Sequence, residues 1–374
     1  MGRRRELLLG LLTVVITVAL CVLLAELVLR FLPVSSGMRT VAVTAQNPVF
    51  HFTPNRSFVF SRDWDMALAN HGRVNNAGFV NDQDYRKDDE LPLLAVVGDS
   101  MIEAAMVPYR DTLQGRLAGT LTGKLRVYSF AASGAPLSQY LIWARHAVVE
   151  YGAQSLLINV VGNDFDESHS KYKTGPGFWH YAPDAAGELQ LRLSEYHPTA
   201  LRELVLSSAL ARYLVFNLQV GPHLLKLMTH PFGRPAMAAP EPPRYAGNTD
   251  ASADADRVRD SLAAVDAFFR DLPRYTGLPP SRILFVVDGM RYPAVAAAAK
   301  GTYFDLMRKA LLEKASSLNY DAIDLDRFFF EQYRRSGERF EFPQDGHWSS
   351  IGHGVAFNAV MGSPFIARLL PRAP

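Results

Sequence analysis

Leu93-Leu94-Ala95-Val96-Val97-Gly98-Asp99-Ser100 is the stretch on which the fold turns. Five apolar residues run without alternation, which is how a strand covered on both faces reads. Gly98-Asp99-Ser100 then ends the run in small, polar turn residues. In sheets of parallel strands, ligands bind just beyond the strands' carboxyl ends. A hydroxyl at that point is therefore a candidate nucleophile, although Gly-Asp-Ser by itself is a common turn.

Outward from this stretch the chain repeats one grammar. Further strands are expected at 125–130, 155–161, 282–287 and 321–325, all rich in Val, Ile, Leu or Phe. Helical patterns lie near 109–122, 138–150, 257–271 and 303–318, with a last one near 350–361. Apolar strands alternating with amphipathic helices predict an α/β domain whose parallel sheet is covered on both faces. Gly134 follows the second strand and Asn163 the third, so both are expected at the same rim as Ser100.

A serine hydroxyl is a weak nucleophile until a base lies within hydrogen-bond reach. Asp345-Gly346-His347-Trp348 holds an imidazole base and a carboxylate to orient it. Two residues apart, both side chains can face one cleft if the backbone bends, and Gly346 permits a bend. His353 lies nearby but falls inside the last helix, so His347 is preferred. Asp99 is expected to act as a cap or turn residue. Together Ser100, Asp345 and His347, with amide donors near Gly134 and Asn163, form a kit for acyl transfer through a covalent serine intermediate.

The chain has 374 residues, ample for a large core, and its 39 basic and 37 acidic residues leave a net charge of only +2. No basic field points to nucleic acid. The one cysteine, Cys21, excludes an internal disulfide framework and a Cys-based zinc site. No metal or cofactor is expected. His169, His180, Asp164 and Asp166 are read as loop residues, and Asn248, Asp250, Asp254 and Asp256 lack the glycine and closing glutamate of an EF-hand.

The N-terminus bears on location. Met1-Gly2-Arg3-Arg4-Arg5 precedes an uncharged apolar run from Leu7 to Ala25, long enough to cross a bilayer as a helix. The arginines favour a cytoplasmic N-terminus, which leaves the rest outside. A cleaved signal peptide is the rival reading, but its apolar region is usually only about 7–15 residues. Glu26 and Arg30, four apart, can pair on one helix face.

The expected organisation is a cytoplasmic tip and anchor over 1–32, an extended lead-in over 33–90 packed on the main domain, and a catalytic domain over 91–374. Val74 to Phe79 reads as a turn between short strands in the lead-in. The alternation breaks over about 165–256, where Leu201 to Met228 is a long apolar helical stretch and Pro231 to Pro243 a loop. That insert is expected to pack on the core as an extra helix, with a cap over the pocket or a surface leaning on the membrane as alternatives.

Over roughly residues 90–362 the chain resembles the SGNH, or GDSL-like, hydrolase superfamily. The resemblance rests on Val96-Val97-Gly98-Asp99-Ser100, on Phe130-Ala131-Ala132-Ser133-Gly134, on Val161-Gly162-Asn163-Asp164, and on Asp345 with His347. It implies a three-layer α/β/α sandwich with a parallel, flavodoxin-like sheet. It also implies Ser100 as nucleophile, His347 as general base and Asp345 as its orienter. The backbone N–H groups of Ser100 and Gly134 and the side-chain amide of Asn163 would form the oxyanion hole. Common members space the last pair as Asp-x-x-His, whereas this chain reads Asp-Gly-His-Trp. The shorter spacing resembles the branch of polysaccharide O-acetyltransferases. The activity expected is a membrane-anchored, extracytoplasmic serine esterase acting on an ester-bearing small molecule or glycan. The alternatives are an O-acetyltransferase fed by a membrane acyl-donor partner, and an inactive glycan-binding or assembly protein.

Overall fold

The computed structural model describes residues 2–88, 90–221, 249–343 and 345–370. Arg56–Arg62 (β1) and Leu68–Val74 (β2) pair as a two-stranded sheet. Leu93–Gly98 (β3) then opens the main sheet, buried at every residue. Arg126–Ala131 (β4), Ala153–Val160 (β5), Ile283–Val287 (β8) and Asp321–Asp324 (β9) join it in the order β4-β3-β5-β8-β9. Every pairing in this sheet is parallel. Numbered among themselves, these strands run 2-1-3-4-5, the flavodoxin-like order, in which the chain reverses direction across the sheet beside its first strand.

Alternation along β3 sends its side chains to opposite faces. Leu94 and Val96, with Val127, Leu157, Leu284 and Val286, pack on Leu113–Thr120, Asp326–Ser336 and Ser350–Met361. The other face is covered by Leu137–Tyr151, Ala255–Thr276 and Tyr303–Ser317, and the rings of Phe269 and Phe285 meet there at 5.1 Å. This is the three-layer α/β/α arrangement expected, with each strand within two residues of its predicted limits.

The helix expected over 109–122 is shorter. A single 3-10 turn at Tyr109–Asp111 comes first, and Thr112 caps the helix proper by accepting the Gly115 N–H at 3.1 Å. Within the 165–256 stretch an unexpected antiparallel hairpin forms from Trp179–Pro183 (β6) and Leu189–Leu193 (β7). Glu341–Phe342 (β10) pairs antiparallel with Asp345–Trp348 (β11).

By its internal contacts the chain divides into two units, which cut across the three segments read from sequence. Of the described residues, the larger comprises those within 39–56, 72–197 and 249–370 and holds the whole main sheet. The smaller comprises, of the described residues, 2–38, 57–71 and 198–221. Residues 198–221 fall with the N-terminal helix in this smaller unit. They also do not make one long helix. Ala200–Ser207 (α5) stops at Ser208, which caps Ala209–Arg212 (α6), and a π turn follows at Tyr213–Asn217. The end of the predicted 201–228 stretch, the Pro231 to Pro243 loop and Asn248 lie outside the described residues. In the same unit Gly2–Leu29 (α1) is one helix, and Asn217 accepts the Ser35 N–H at 3.1 Å while donating to Ser61 Oγ at 2.9 Å. Val74 to Phe79 is a turn as expected, closed by Asn75 Oδ1, which accepts the N–H groups of Ala77 and Phe79.

Candidate active site

Three loops at the carboxyl ends of adjacent strands build the site. β3 ends at Gly98, where a Cβ would lie 2.5 Å from Ile102 Cγ1, so only glycine lets the chain fold back so tightly. The chain turns at once into Ser100–Glu103 (α2). Asp99 caps that turn, accepting the Met101 N–H at 2.9 Å, which is the role expected of it. Its other oxygen accepts the Ser100 hydroxyl at 3.0 Å. Burial pushes the Asp99 carboxyl above its usual range.

After β4 the chain reaches Gly134, whose φ of +77° is the left-handed region that favours glycine. After β5 comes Asn163, then Asp164, a buried staple for the loop. Asp164 accepts the Val161 N–H at 2.8 Å and the Tyr140 hydroxyl at 2.9 Å, and its backbone carbonyl accepts the Ser168 hydroxyl. Burial drives its carboxyl well above the usual range.

Asp345 and His347 sit on β11. The expected bend at Gly346 is not what aligns them. A strand turns alternate side chains to one face, so two residues two apart share it without any unusual φ. The Asp345 carboxylate holds His347 Nδ1, and it also accepts the His347 N–H at 3.0 Å. Asp345 is almost fully buried, at 1% side-chain exposure, while His347 keeps 22%. That asymmetry suits an orienting acid behind a base that meets substrate. β11 packs on α2: the Trp348 N–H lies 3.5 Å from Met101 Sδ, so the residue after the histidine touches the residue after the serine. The imidazole is also near enough to favour the ionised forms of Asp99 and Glu103.

Five supporting residues escaped the sequence reading. Glu103, one helical turn beyond Ser100, is buried and accepts the Ser133 N–H, tying the serine's turn to the Gly134 loop. Burial pushes its carboxyl up to about 7. Its i,i+3 spacing from Ser100 was the available signal. Asp288 follows β8 and Arg291 lies three further on. Arg291 donates to Asp288 at 2.7 Å and to the Gly346 carbonyl at 2.7 Å, and Trp348 Nε1 donates to Asp288 at 3.0 Å. The rule that singled out Ser100, a polar residue just past a buried strand, applies equally to Asp288. Glu167 accepts the Asn163 amide at 3.0 Å and pairs with Lys173, which donates to the Gly134 carbonyl at 3.2 Å.

Two other histidines, His353 and His180, have structural work. His353 accepts the Leu113 N–H at 3.1 Å, and burial lowers it to about 3, so it is a neutral core group. His180 Nε2 accepts the Gly175 N–H at 2.9 Å, and Nδ1 faces the Glu167 carbonyl at 2.9 Å. Among the described residues no group of three or more His, Cys, Asp or Glu is placed to hold a metal ion.

No protein-family model matches this chain, and no curated protein does. Solved structures of similar shape include a lipase from a goat rumen metagenome, 11% identical, with a TM-score of 0.38 over 73% of this chain and 98% of its own. A lipase/acylhydrolase from Enterococcus faecalis is 12% identical, with a TM-score of 0.37 over 76% and 100%. An acetyl xylan esterase is 12% identical, with a TM-score of 0.37 over 72% and 98%. Likeness this distant lends no weight to any activity. The chemistry rests on the side chains that the three loops and β11 bring to one rim.

Proposed function

We propose that the chain is a membrane-anchored, extracytoplasmic serine esterase that works through an acyl-enzyme on O-acylated carbohydrate or a related ester. One observation carries the reading: Asp345 holds His347 by Nδ1 on a strand packed against the turn that presents Ser100. In the reaction, the Ser100 hydroxyl leaves Asp99 and gives its proton to His347 Nε2 as Oγ attacks the ester carbonyl. The tetrahedral oxyanion is received by the Ser100 and Gly134 N–H groups and the Asn163 amide, the last released from Glu167. Collapse expels the alcohol, which takes the proton from His347. Water, activated by the same imidazole, then attacks the acyl-enzyme and frees the acid and Ser100. Asp345 keeps the imidazole in the tautomer that leaves Nε2 free to accept.

Retention of α1 as an anchor is supported by its far end, which is built into the fold. Glu26 accepts the Ser208 hydroxyl and the N–H groups of Ala209 and Leu210. A segment destined for removal has no need of such bonds. The helix is long and apolar enough over Arg4–Leu29 to span a bilayer, and the arginines before it favour a cytoplasmic start.

The Asp-Gly-His-Trp spacing favours a second reading, O-acetyl transfer to a polysaccharide from a donor supplied by a membrane partner. Hydrolysis and transfer share the acyl-enzyme and part only at deacylation. Full-length protein in detergent, incubated with an O-acetylated glycan, decides by mass spectrometry. Loss of acetyl groups, absent in Ser100→Ala, supports the esterase. Acetyl gain by an unacetylated glycan given an activated acetyl donor supports the transferase, and neither change overturns both.

A further inference from the structure

Glu26 fixes more than a helix end. The apolar run of α1 stops at Ala25, and at about 1.5 Å of rise per residue Glu26 lies within a turn of the bilayer's apolar edge. Its carboxylate takes the Ser208 hydroxyl at 2.8 Å and the Ala209 and Leu210 N–H groups at 3.1 and 2.8 Å. The junction of α5 and α6 is therefore held at the depth where hydrocarbon gives way to headgroups. The elements on either side of that junction have two unlike faces. Inward, Leu206 and Phe216 pack on Gly37, Arg202 donates to the Met38 carbonyl at 3.1 Å, and Asn217 is buried. Outward, Leu201 and Leu204 are 71% and 66% exposed, one helical turn apart, and Leu214 and Val215 are exposed beyond them. The Tyr213 hydroxyl donates to the Trp64 carbonyl at 2.8 Å, which brings to this group a tryptophan that is 74% exposed. Phe31, at 82%, continues α1 itself.

We infer that this outward face, built from Phe31, Trp64, Leu201, Leu204, Leu214 and Val215, is a collar that beds in the lipid interface around the emerging helix. Large apolar side chains grouped on a surface mark an interaction site, and tryptophan favours the headgroup level because one end of its ring system is apolar and the other polar. The occupant is lipid because the face is continuous with the helix that enters the bilayer and is pinned to that helix at its boundary residue. The collar holds the smaller unit flat on the membrane. This inference rests on the anchor reading given above.

The test uses the full chain in phosphatidylcholine vesicles, with and without bromine on the acyl chains, since bromine quenches indole emission at short range. The chain has four tryptophans, of which Trp143 and Trp348 are buried. The emission lost in Trp64→Phe isolates the Trp64 share. Brominated lipid is expected to cut that share at least twofold, and Leu201→Glu/Leu204→Glu is expected to restore most of it. Carbonate extraction of the same vesicles keeps the two readings apart. A chain that resists extraction while Trp64 stays equally bright in both lipids overturns the collar alone. A chain that is extracted overturns the anchor and the collar with it.

Discussion

Ser100 rests with its hydroxyl on Asp99 rather than on His347, the proposed base, and Asn163 rests on Glu167. In the proposed reaction both side chains turn from these partners towards substrate. The fixed member is the Asp345–His347 pair. Replacing Asp345 by Asn leaves the strand but offers the imidazole a donor and stabilises the wrong tautomer. The expected result in steady-state kinetics is a kcat lower by about 10⁴-fold with KM little changed. Glu103 makes a prediction about pH. Its folded-state value of about 7 stands above the ordinary 4.5, so the native state binds the extra proton between those values. Stability is full below pH 4.5, falls as pH rises through 7, and is flat above, by at most about 3 kcal/mol. Glu103→Gln still accepts the Ser133 N–H and never ionises. Its thermal midpoint should exceed wild type at pH 8 and match it at pH 4.5, and equal midpoints at both would remove the buried carboxylate's cost from the account.

At the scale of elements, β11 carries Asp345 and His347, the proposed catalytic pair, and its neighbours hold it still. Arg291 and Asp288 are buried together, and between them they bind the Gly346 carbonyl and the Trp348 indole. Removing one partner of a buried pair strands the other charge. Asp288→Ala should cost about 3–5 kcal/mol in urea unfolding, and Asp288→Ala/Arg291→Met should cost less than the single change. The strands of the main sheet were legible in the sequence because a doubly covered strand leaves an unbroken apolar run, as Leu93 to Val97 does. Ser100, the proposed nucleophile, and Asp345 with His347 stood out as polar residues at or near strand ends, and the structure places Asp345 against His347. The β6–β7 hairpin was not, although Leu189-Gln190-Leu191-Arg192-Leu193 alternates as a half-buried strand should. It lay in a stretch whose loss of βα rhythm concealed a change of period. Glu103 and Arg291 were hidden for another reason. Their importance comes from bonds to Ser133 and Gly346, and contacts between distant residues leave no local period to read.

Across the whole molecule the chain returns to its beginning. Residues near 208 complete the unit that starts with α1, a join no composition shift announced. If that helix is retained, intact mass spectrometry of protein recovered from membranes should give a chain that still contains Leu7 to Ala25. A mature start after residue 25 would instead identify a cleaved signal. The central claim is that Ser100 is an activated nucleophile, and active-site labelling of the full chain in its membrane tests it most directly. A fluorophosphonate probe should attach to Ser100 in wild type, as mapped by peptide mass spectrometry. It should be lost in Ser100→Ala and strongly reduced in His347→Ala. A folded wild-type chain that stays unlabelled, or labelling that persists in Ser100→Ala, would contradict the account.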